Sequence, residues 1–158
     1  MALTNRCNVP LIINDRLDIA LAVGAAGVHL GQDDIPLAAA RRITGKDFII
    51  GVSARYPKDA LTAEREGADY LGTGALFPTG TKADAGVIGL RGLAEVLSSV
   101  SIPVVGIGGI SPANAQDVIT AGASGIAVIS AILSQDDIYG AAATLRAIVD
   151  TQKDKEPR

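Results

Sequence analysis

Short apolar runs alternate with amphipathic stretches along this chain. Three of the apolar runs cover residues 9–13, 48–52 and 102–107, and three more lie inside the related segments 24–31, 67–74 and 122–129. Unbroken runs of this length are typical of parallel strands buried on both faces. Apolar residues at helical spacing occupy the stretches between them, around 17–23, 37–43, 60–66, 90–97, 115–121 and 138–149. The pattern predicts six strands and six helices in alternation.

The three related segments form a weak internal repeat. Each opens on a glycine, at Gly24, Gly67 and Gly122, and then enters an apolar run. Glycine takes the left-handed backbone conformation at a helix end without a Cβ penalty. Each segment therefore reads as the end of a helix leading into a strand. At the fifth helix, Ser111 is predicted as the N-cap and Pro112 as the first helical residue.

Strict alternation of strand and helix with short connections predicts an α/β fold with a parallel sheet. We expect a (β/α)8 TIM-barrel type of fold, truncated to about six β-α units that correspond to strands 3 to 8. Residues 2–8 resemble the end of a helix whose beginning is absent. The alternative is a complete open sheet of six strands. Residues 1–150 are predicted to form a single partial barrel domain, followed by a charged C-terminal tail over residues 151–158.

Composition narrows the possible functions. The chain has 14 Lys and Arg against 17 Asp and Glu, a net charge of −3, and no basic block that would bind nucleic acid. No apolar run approaches the roughly 20 residues of a membrane span, and the first residues lack the apolar region of a signal peptide. We therefore expect a cytoplasmic protein without nucleic-acid or membrane partners. One Cys and one His exclude an internal disulfide and do not make a zinc site.

Two aspartates follow neighbouring predicted strands. Asp15 comes after the first strand and Asp34 after the second. In parallel α/β folds the carboxyl ends of the strands form the ligand site, so the two carboxylates are expected within reach of one ion. Hard oxygen ligands with room for water and phosphate suit Mg²⁺. The alternative is that each aspartate caps the helix that follows it.

The segment after the fourth strand is suited to phosphate. Thr79, Gly80, Thr81 and Lys82 supply two hydroxyls, a flexible backbone and an ammonium group. The alternative is an ordinary solvated loop with one surface lysine. Further along, Gly109 ends the fifth strand before a helix.

A second set of small polar residues follows the last two strands. Ile129 and Ser130 end the sixth strand. In barrel enzymes the loops after the last two strands commonly hold a phosphate.

The single histidine, His29, lies inside an apolar strand, which favours a structural role over that of a catalytic base. No Cys-His or Ser-His nucleophile pair can be argued.

Five segments together resemble the motif series of the thiamine phosphate synthase family, in the family's order and over residues 9–148. They are LIINDR (11–16), GVHLGQDD (27–34), GVS (51–53), GALFPTGTK (74–82) and VGIGGI (105–110). The combination is highly specific, because the match follows the family's order over nearly the whole chain.

This resemblance implies a transferase that joins hydroxymethylpyrimidine diphosphate to a thiazole phosphate and releases diphosphate. It assigns Mg²⁺ binding to Asp15 and Asp34. It also implies that Asn14, Ser53 and Lys82 contact the pyrimidine diphosphate, with Ser53 and Lys82 as the catalytic candidates. The thiazole phosphate would contact Thr79, Gly80, Thr81, Gly109, Ile129 and Ser130. The partners implied are these two small molecules, with a homo-oligomer possible.

The chain departs from the family pattern in two places. The family carries an aromatic-Arg-x-Lys strand before the Asn-Asp motif, and this sequence begins after it, so we expect low coupling activity. Arg55 stands where the family usually has histidine. The alternatives are a thiazole tautomerase, whose catalytic histidine would match Arg55, and a non-catalytic phosphate-binding fragment. The sequence leaves open whether the thiazole substrate is carboxylated.

Overall fold

Six parallel strands form one sheet in the computed structural model, which describes residues 2–80 and 86–153. The strands lie in the order in which the chain makes them, β1 to β6. Their bounds are β1 Ile12–Asn14, β2 Gly27–Leu30, β3 Ile49–Ser53, β4 Tyr70–Thr73, β5 Val104–Ile107 and β6 Gly125–Ala127. Each neighbouring pair is parallel.

Eight helices connect and flank these strands in the described part of the chain. They are α1 Ala2–Arg6, α2 Leu17–Ala22, α3 Leu37–Thr44, α4 Pro57–Glu66, α5 Gly89–Leu97, α6 Ala115–Thr120, α7 Ser130–Leu133 and α8 Ile138–Lys153. A sequential, all-parallel order with right-handed crossovers puts the connecting helices on one side and curls the sheet into part of a barrel. A doubly wound sheet would reverse its strand order at one point, and this sheet does not.

The two faces of the sheet differ in chemistry. Side chains that point toward the helices are apolar and buried, and they include Val28, Leu30, Ile50, Val52, Leu71 and Val104. Alternate positions on the concave face carry small or polar residues, including His29, Gly51, Ser53, Tyr70 and Gly72. Because side chains alternate between faces along a strand, the helix side forms the core and the concave side is available for ligands.

The ends of the predicted elements shift by a few residues. Strand β1 begins at Ile12 instead of residue 9, and α8 continues to Lys153, so the first residues of the expected tail are helical. The predicted N-cap at Ser111 is wrong. Helix α6 begins at Ala115 with Asn114 at its N-cap, and the N–H groups of both residues donate to the Ser111 carbonyl in a preceding turn. A turn that closes on Ser111 resembles a helix start in sequence.

Candidate active site

The ends of β1 and β2 lie side by side at the carboxyl edge of the sheet. Asn14, the last residue of β1, pairs in register with His29 of β2. Asp15 follows with a φ of 65°, and its N–H donates to the His29 carbonyl at 2.8 Å. This left-handed residue turns the chain off the sheet immediately after Asn14. Asp15 is therefore held at the edge of the sheet by the backbone of the neighbouring strand.

Asp34 closes a tight turn beyond β2. Its Oδ2 accepts the N–H of Gly31 at 2.7 Å, and its side chain is partly buried. Neither aspartate is the N-cap residue of the helix that follows it, because Arg16 occupies that position in α2 and Pro36 in α3.

The fit of these aspartates to a divalent cation depends on their donor atoms. Asp15 directly follows β1, Asp34 lies in the loop after the adjacent strand β2, and both offer carboxylate oxygens, the ligand type that Mg²⁺ prefers. Within residues 2–80 and 86–153 no group of three or more acidic, His or Cys side chains gathers in a metal-binding arrangement. Two carboxylates suit an ion that takes its remaining ligands from water and phosphate.

Ser53 ends β3 and belongs to a row of polar side chains on the concave face. His29 Nε2 lies 3.0 Å from Ser53 Oγ, and His29 Nδ1 lies 3.1 Å from the Tyr70 hydroxyl. The imidazole therefore bridges β3 and β4 from its place on β2. The prediction of a structural, hydrogen-bonded histidine agrees with this geometry, and the partner of that histidine is a predicted site residue.

Two glycines make room for this row. A Cβ at Gly51 would lie 2.1 Å from the Tyr70 ring, and a Cβ at Gly72 would lie 2.8 Å from His29 Cε1. Both distances are shorter than any real contact. Any residue larger than glycine at these two positions would displace the tyrosine or the imidazole.

Gln32 adds a second restraint on Ser53. Its Nε2 donates to the Ser53 backbone carbonyl at 2.5 Å and so links the loop after β2 to the end of β3. Neither Gln32 nor Tyr70 was among the site residues predicted from sequence. The alternation of side chains along β4 could have indicated Tyr70. It lies two residues before Gly72, so its polar aromatic side chain points to the same face of the sheet as Gly72.

The loop after β4 packs directly against the turn after β5. Gly108 and Gly109 have φ values of 92° and 67°, and the Phe77 N–H donates to the Gly108 carbonyl at 3.0 Å. A Cβ at Gly109 would lie 2.6 Å from the Pro78 carbonyl oxygen and 2.7 Å from that of Phe77. The loop that carries Thr79 and Gly80 is thus in contact with the Gly109 turn, and the absence of a side chain at Gly109 permits the close approach.

Asn114 fixes the shape of that turn. Its Nδ2 donates to the Gly109 carbonyl at 3.1 Å, while its Oδ1 accepts the Ser111 N–H at 2.8 Å. Sequence reasoning missed this residue, although asparagine commonly closes such turns. Thr79 and Gly80 lie in the loop that contacts Gly109, whereas the predicted contacts Thr81 and Lys82 lie outside the described residues.

The last predicted contacts follow β6. Ile129 is 55% exposed and directly precedes α7, and Ser130 is the first residue of that helix and is exposed. Because β5 and β6 are neighbours, these two residues lie one strand away from the Gly109 turn. The predicted contacts therefore form two groups along one edge of the sheet.

Arg55, which stands in the family's histidine position, contacts the far end of the loop after β4. Its Nη2 donates to the Gly86 carbonyl. Its Nε is buried and has no hydrogen-bond partner among the residues that the structure describes. Arg55 thus links the β3–α4 connection to the chain entering α5.

Charge near the site is locally paired. Arg16, next to Asp15, binds Asp18 through two contacts of 2.8 and 2.5 Å. The hydrogen bond from Arg16 lowers the pKa of Asp18 to about 2, and the same pairing raises the pKa of Arg16. Arg16 therefore has a carboxylate partner already. Burial raises the pKa of the Tyr70 phenol, so that group keeps its proton at neutral pH.

A cavity of about 240 Å³ lies on the helix side of the sheet, between α3 and α4. Its lining includes Gln32 and Asp34 but neither Ser53 nor Gly109. It is a gap between the helices and the loop after β2, and it is separate from the concave face that carries the His29 row.

No helix within the described ranges is long and apolar enough to span a membrane.

Comparisons with known proteins agree with this geometry. A thiamine-phosphate synthase from Chloroflexus aurantiacus is 56% identical over 154 residues, a match that covers 97% of this chain and 71% of that protein. One from Methanocella arvoryzae is 59% identical over 146 residues, covering 92% and 69%. A thiamine phosphate pyrophosphorylase structure from Pyrococcus furiosus superposes with a TM-score of 0.89 at 47% identity, covering 95% and 72%.

More distant structures share only the fold. A 3-hexulose-6-phosphate synthase from Salmonella typhimurium gives a TM-score of 0.73 at 18% identity, and the match covers 95% of this chain and 78% of that protein.

The thiamine monophosphate synthase family model matches residues 1–132. The family predicted from the five motifs is therefore confirmed, and the chain belongs to the thiamine monophosphate synthase family.

Proposed function

We propose that this chain is a transferase of thiamine biosynthesis, which couples hydroxymethylpyrimidine diphosphate to a thiazole phosphate. The observation that carries the proposal is the contact between the Phe77–Pro78 carbonyls and the Gly109 turn, because it places the loop that carries Thr79 and Gly80 beside that turn. That pair lies on the same sheet edge as Ser53 and the two aspartates. High identity to synthases along nearly the whole chain supports the same reading.

The pyrimidine diphosphate would occupy the β1–β3 side of the edge. Asn14 is exposed at the end of β1, and Ser53 is oriented by His29 and Gln32. Lys82, outside the described residues, would supply a cation to the diphosphate. In this proposal Ser53 contacts the pyrimidine diphosphate and Lys82 stabilises charge on the leaving group.

Magnesium would be held by Asp15 and Asp34. When bound, Mg²⁺ would offset the negative charge of the diphosphate. The proposal is supported by the positions of the two carboxylates, which follow the adjacent parallel strands β1 and β2.

The thiazole phosphate would occupy the β4–β6 side. Its predicted contacts are Thr79, Gly80, Thr81, Gly109, Ile129 and Ser130. Gly109 has a positive φ, and its carbonyl accepts a hydrogen bond from Asn114 Nδ2. Both features support a turn with fixed geometry at this point. Main-chain N–H groups of such turns commonly bind phosphate oxygens.

The reaction needs no acid-base pair. The bond between the pyrimidine methylene carbon and the ester oxygen of the diphosphate breaks, and its electron pair leaves with the diphosphate. The thiazole nitrogen then donates its lone pair to the methylene carbon to form the new C–N bond. The residues of this chain need only neutralise the leaving charge and align the partners, which accounts for an active site built from Asn14, Ser53 and glycine turns.

In this proposal the six strands correspond to strands 3 to 8 of an eight-stranded barrel. Their sequential order supports it, and β1 and β6 are not paired with each other. A homo-oligomer is also part of the proposal. A cytoplasmic location stays a prediction.

The test is an assay of thiamine phosphate formation from both substrates with Mg²⁺. We would compare the 158-residue chain with a version preceded by two β-α units from a synthase relative. The version with the two added units should form thiamine phosphate. No product from the extended chain would refute the proposed activity.

A further inference from the structure

A continuous hydrogen-bonded row crosses three strands of the concave face. It runs from the Tyr70 hydroxyl on β4 to His29 on β2 and then to Ser53 on β3, with distances of 3.1 and 3.0 Å. The rings of Tyr70 and His29 have centroids 5.5 Å apart. An imidazole with a partner on each nitrogen has its tautomer set by those partners.

The hydroxyl groups at the two ends of the row determine which atom donates in each hydrogen bond. Tyr70 is half-buried, and burial raises the pKa of its phenol, so the hydroxyl keeps a proton to donate. A phenol is a stronger donor than an aliphatic hydroxyl, and neutral imidazole nitrogen is a good acceptor. The favoured arrangement therefore has Tyr70 donating to Nδ1 and Nε2–H donating to Ser53 Oγ.

We propose that Tyr70 and His29 act as positioning residues that fix the Ser53 hydroxyl as a hydrogen-bond donor to the substrate. With Oγ accepting from Nε2–H, the Ser53 proton points away from the imidazole toward the open edge of the sheet. It is then available to donate a hydrogen bond to a substrate atom that carries a lone pair. This inference rests on the proposed function, and the acceptor is either an aromatic ring nitrogen or a phosphate oxygen of the pyrimidine substrate.

The surroundings of the row hold it in one geometry. Gly51 and Gly72 leave no space for a Cβ between the strands, so the two rings fill the concave face at these positions. Gln32 holds the Ser53 carbonyl, so the serine backbone is held while its hydroxyl is oriented. A donor held in place loses little entropy when it binds, which is how a positioning residue raises affinity.

The first test reads the tautomer directly. His29 is the single histidine of the chain, so ¹⁵N-histidine labelling gives one set of imidazole signals. Nitrogen NMR of the neutral ring should show a protonated Nε2 and an unprotonated Nδ1. A Tyr70→Phe variant should shift the ring toward a mixture of tautomers, while Tyr139→Phe, an exposed tyrosine on α8, should leave it unchanged. A protonated Nδ1 in the parent would overturn the inference.

The second test is a double-mutant cycle on binding. Calorimetry with hydroxymethylpyrimidine diphosphate should show a loss of affinity of about tenfold for Tyr70→Phe and for Ser53→Ala. The double variant should bind no worse than Ser53→Ala alone, because Tyr70 acts through the serine. Additive losses, about a hundredfold in the double variant, would mean that Tyr70 acts independently and would refute the proposal.

Two further probes identify the acceptor and separate this inference from the proposed function. Unphosphorylated hydroxymethylpyrimidine should show the Tyr70 and Ser53 effects if the acceptor is the ring nitrogen, and inorganic diphosphate should show them if it is a phosphate oxygen. An effect on neither probe counts against a donor role for Ser53. Failure of the parent chain to bind any probe counts against the proposed function, and the tautomer measurement then decides the direction of the row by itself.

Discussion

Arg41 and Asp69 form an ion pair, with Nη2 2.7 Å from Oδ2, at the edge of the sheet opposite the candidate site. Asp69 Oδ2 also accepts the N–H of Ile50 at 2.6 Å. The same guanidinium donates to the carbonyls of Gly45, Phe48 and Gly67. One side chain on α3 thus ties the helix to the chain entering β3 and β4.

An Arg41→Met variant should lose these bonds while keeping much of the apolar stem. We expect the free energy of unfolding to fall by about 1.5–3 kcal/mol, because bonds to charged groups are worth that much and Asp69 would lose its cation. Urea unfolding measures the change. Arg91→Met is the control, since Arg91 forms an exposed i,i+4 pair with Glu95 and should leave the midpoint unchanged. Equal effects of the two variants would contradict this role for Arg41.

Gly72→Ala should uncouple His29 from Ser53. The new methyl group would lie 2.8 Å from His29 Cε1, so the imidazole must move away from the serine hydroxyl. We expect weaker binding of the pyrimidine diphosphate and a destabilisation of about 1–3 kcal/mol from overpacking. Gly125→Ala in β6 is the matched control, because no atom of the described residues, apart from its chain neighbours, lies within 4 Å of its Cβ. If both variants bind like the parent, the space at Gly72 is not what positions His29.

Asp34→Asn should weaken the binding of Mg²⁺ with diphosphate by at least tenfold, measured by calorimetry. The asparagine keeps an oxygen that can accept the Gly31 N–H, so the turn should survive while the charge is lost. Asp33→Asn removes the same charge from the neighbouring, exposed position and serves as the control. An Asp34→Asn variant as tight as the parent would rule out the assignment of this metal ligand.

Gly109→Ala should abolish binding of the thiazole phosphate while leaving binding of the pyrimidine diphosphate nearly intact. Its Cβ would collide with the Pro78 carbonyl 2.6 Å away and would strain a φ of 67°. Gly45→Ala carries a similar positive φ with open space around it, at the opposite edge of the sheet. The Gly45→Ala variant should be less stable than the parent and should keep its affinity for the thiazole phosphate. Unchanged thiazole phosphate affinity in Gly109→Ala would remove the turn from the phosphate site.

Glu64 makes stability depend on acid pH. Its Oε1 accepts the Ser101 hydroxyl and N–H, each at 2.7 Å, and these bonds lower the pKa of the carboxyl below its ordinary 4.5. A pKa depressed in the folded state gives stability that is present above pH 4.5 and is lost as the pH falls through the folded value.

The urea midpoint of Glu64→Gln should therefore lie below that of the parent at pH 7, and the gap should narrow at acid pH. Glu66→Gln, an exposed change on the same helix, controls for the loss of charge. A gap that stays constant from pH 7 to acid pH would show that the protonation of Glu64 is not linked to folding.

The sequence by itself determined the alternation of strands and helices, because buried parallel strands need unbroken apolar runs and helix ends need glycines such as Gly67. It also determined the family, through motifs that each end a strand. The positions of Asp15, Ser53 and Gly109 at one edge follow from that alternation, since parallel strands all end on the same side.

Only the tertiary structure decided which side chains meet. His29 reaches a hydroxyl on β3 and another on β4, and the space for it comes from the absence of side chains at Gly51 and Gly72. Periodicity along one strand carries no information on distances across strands, so Tyr70 could not be paired with His29 from sequence. The same limit explains Ser111, whose turn looks like a helix cap until Asn114 is seen to close it.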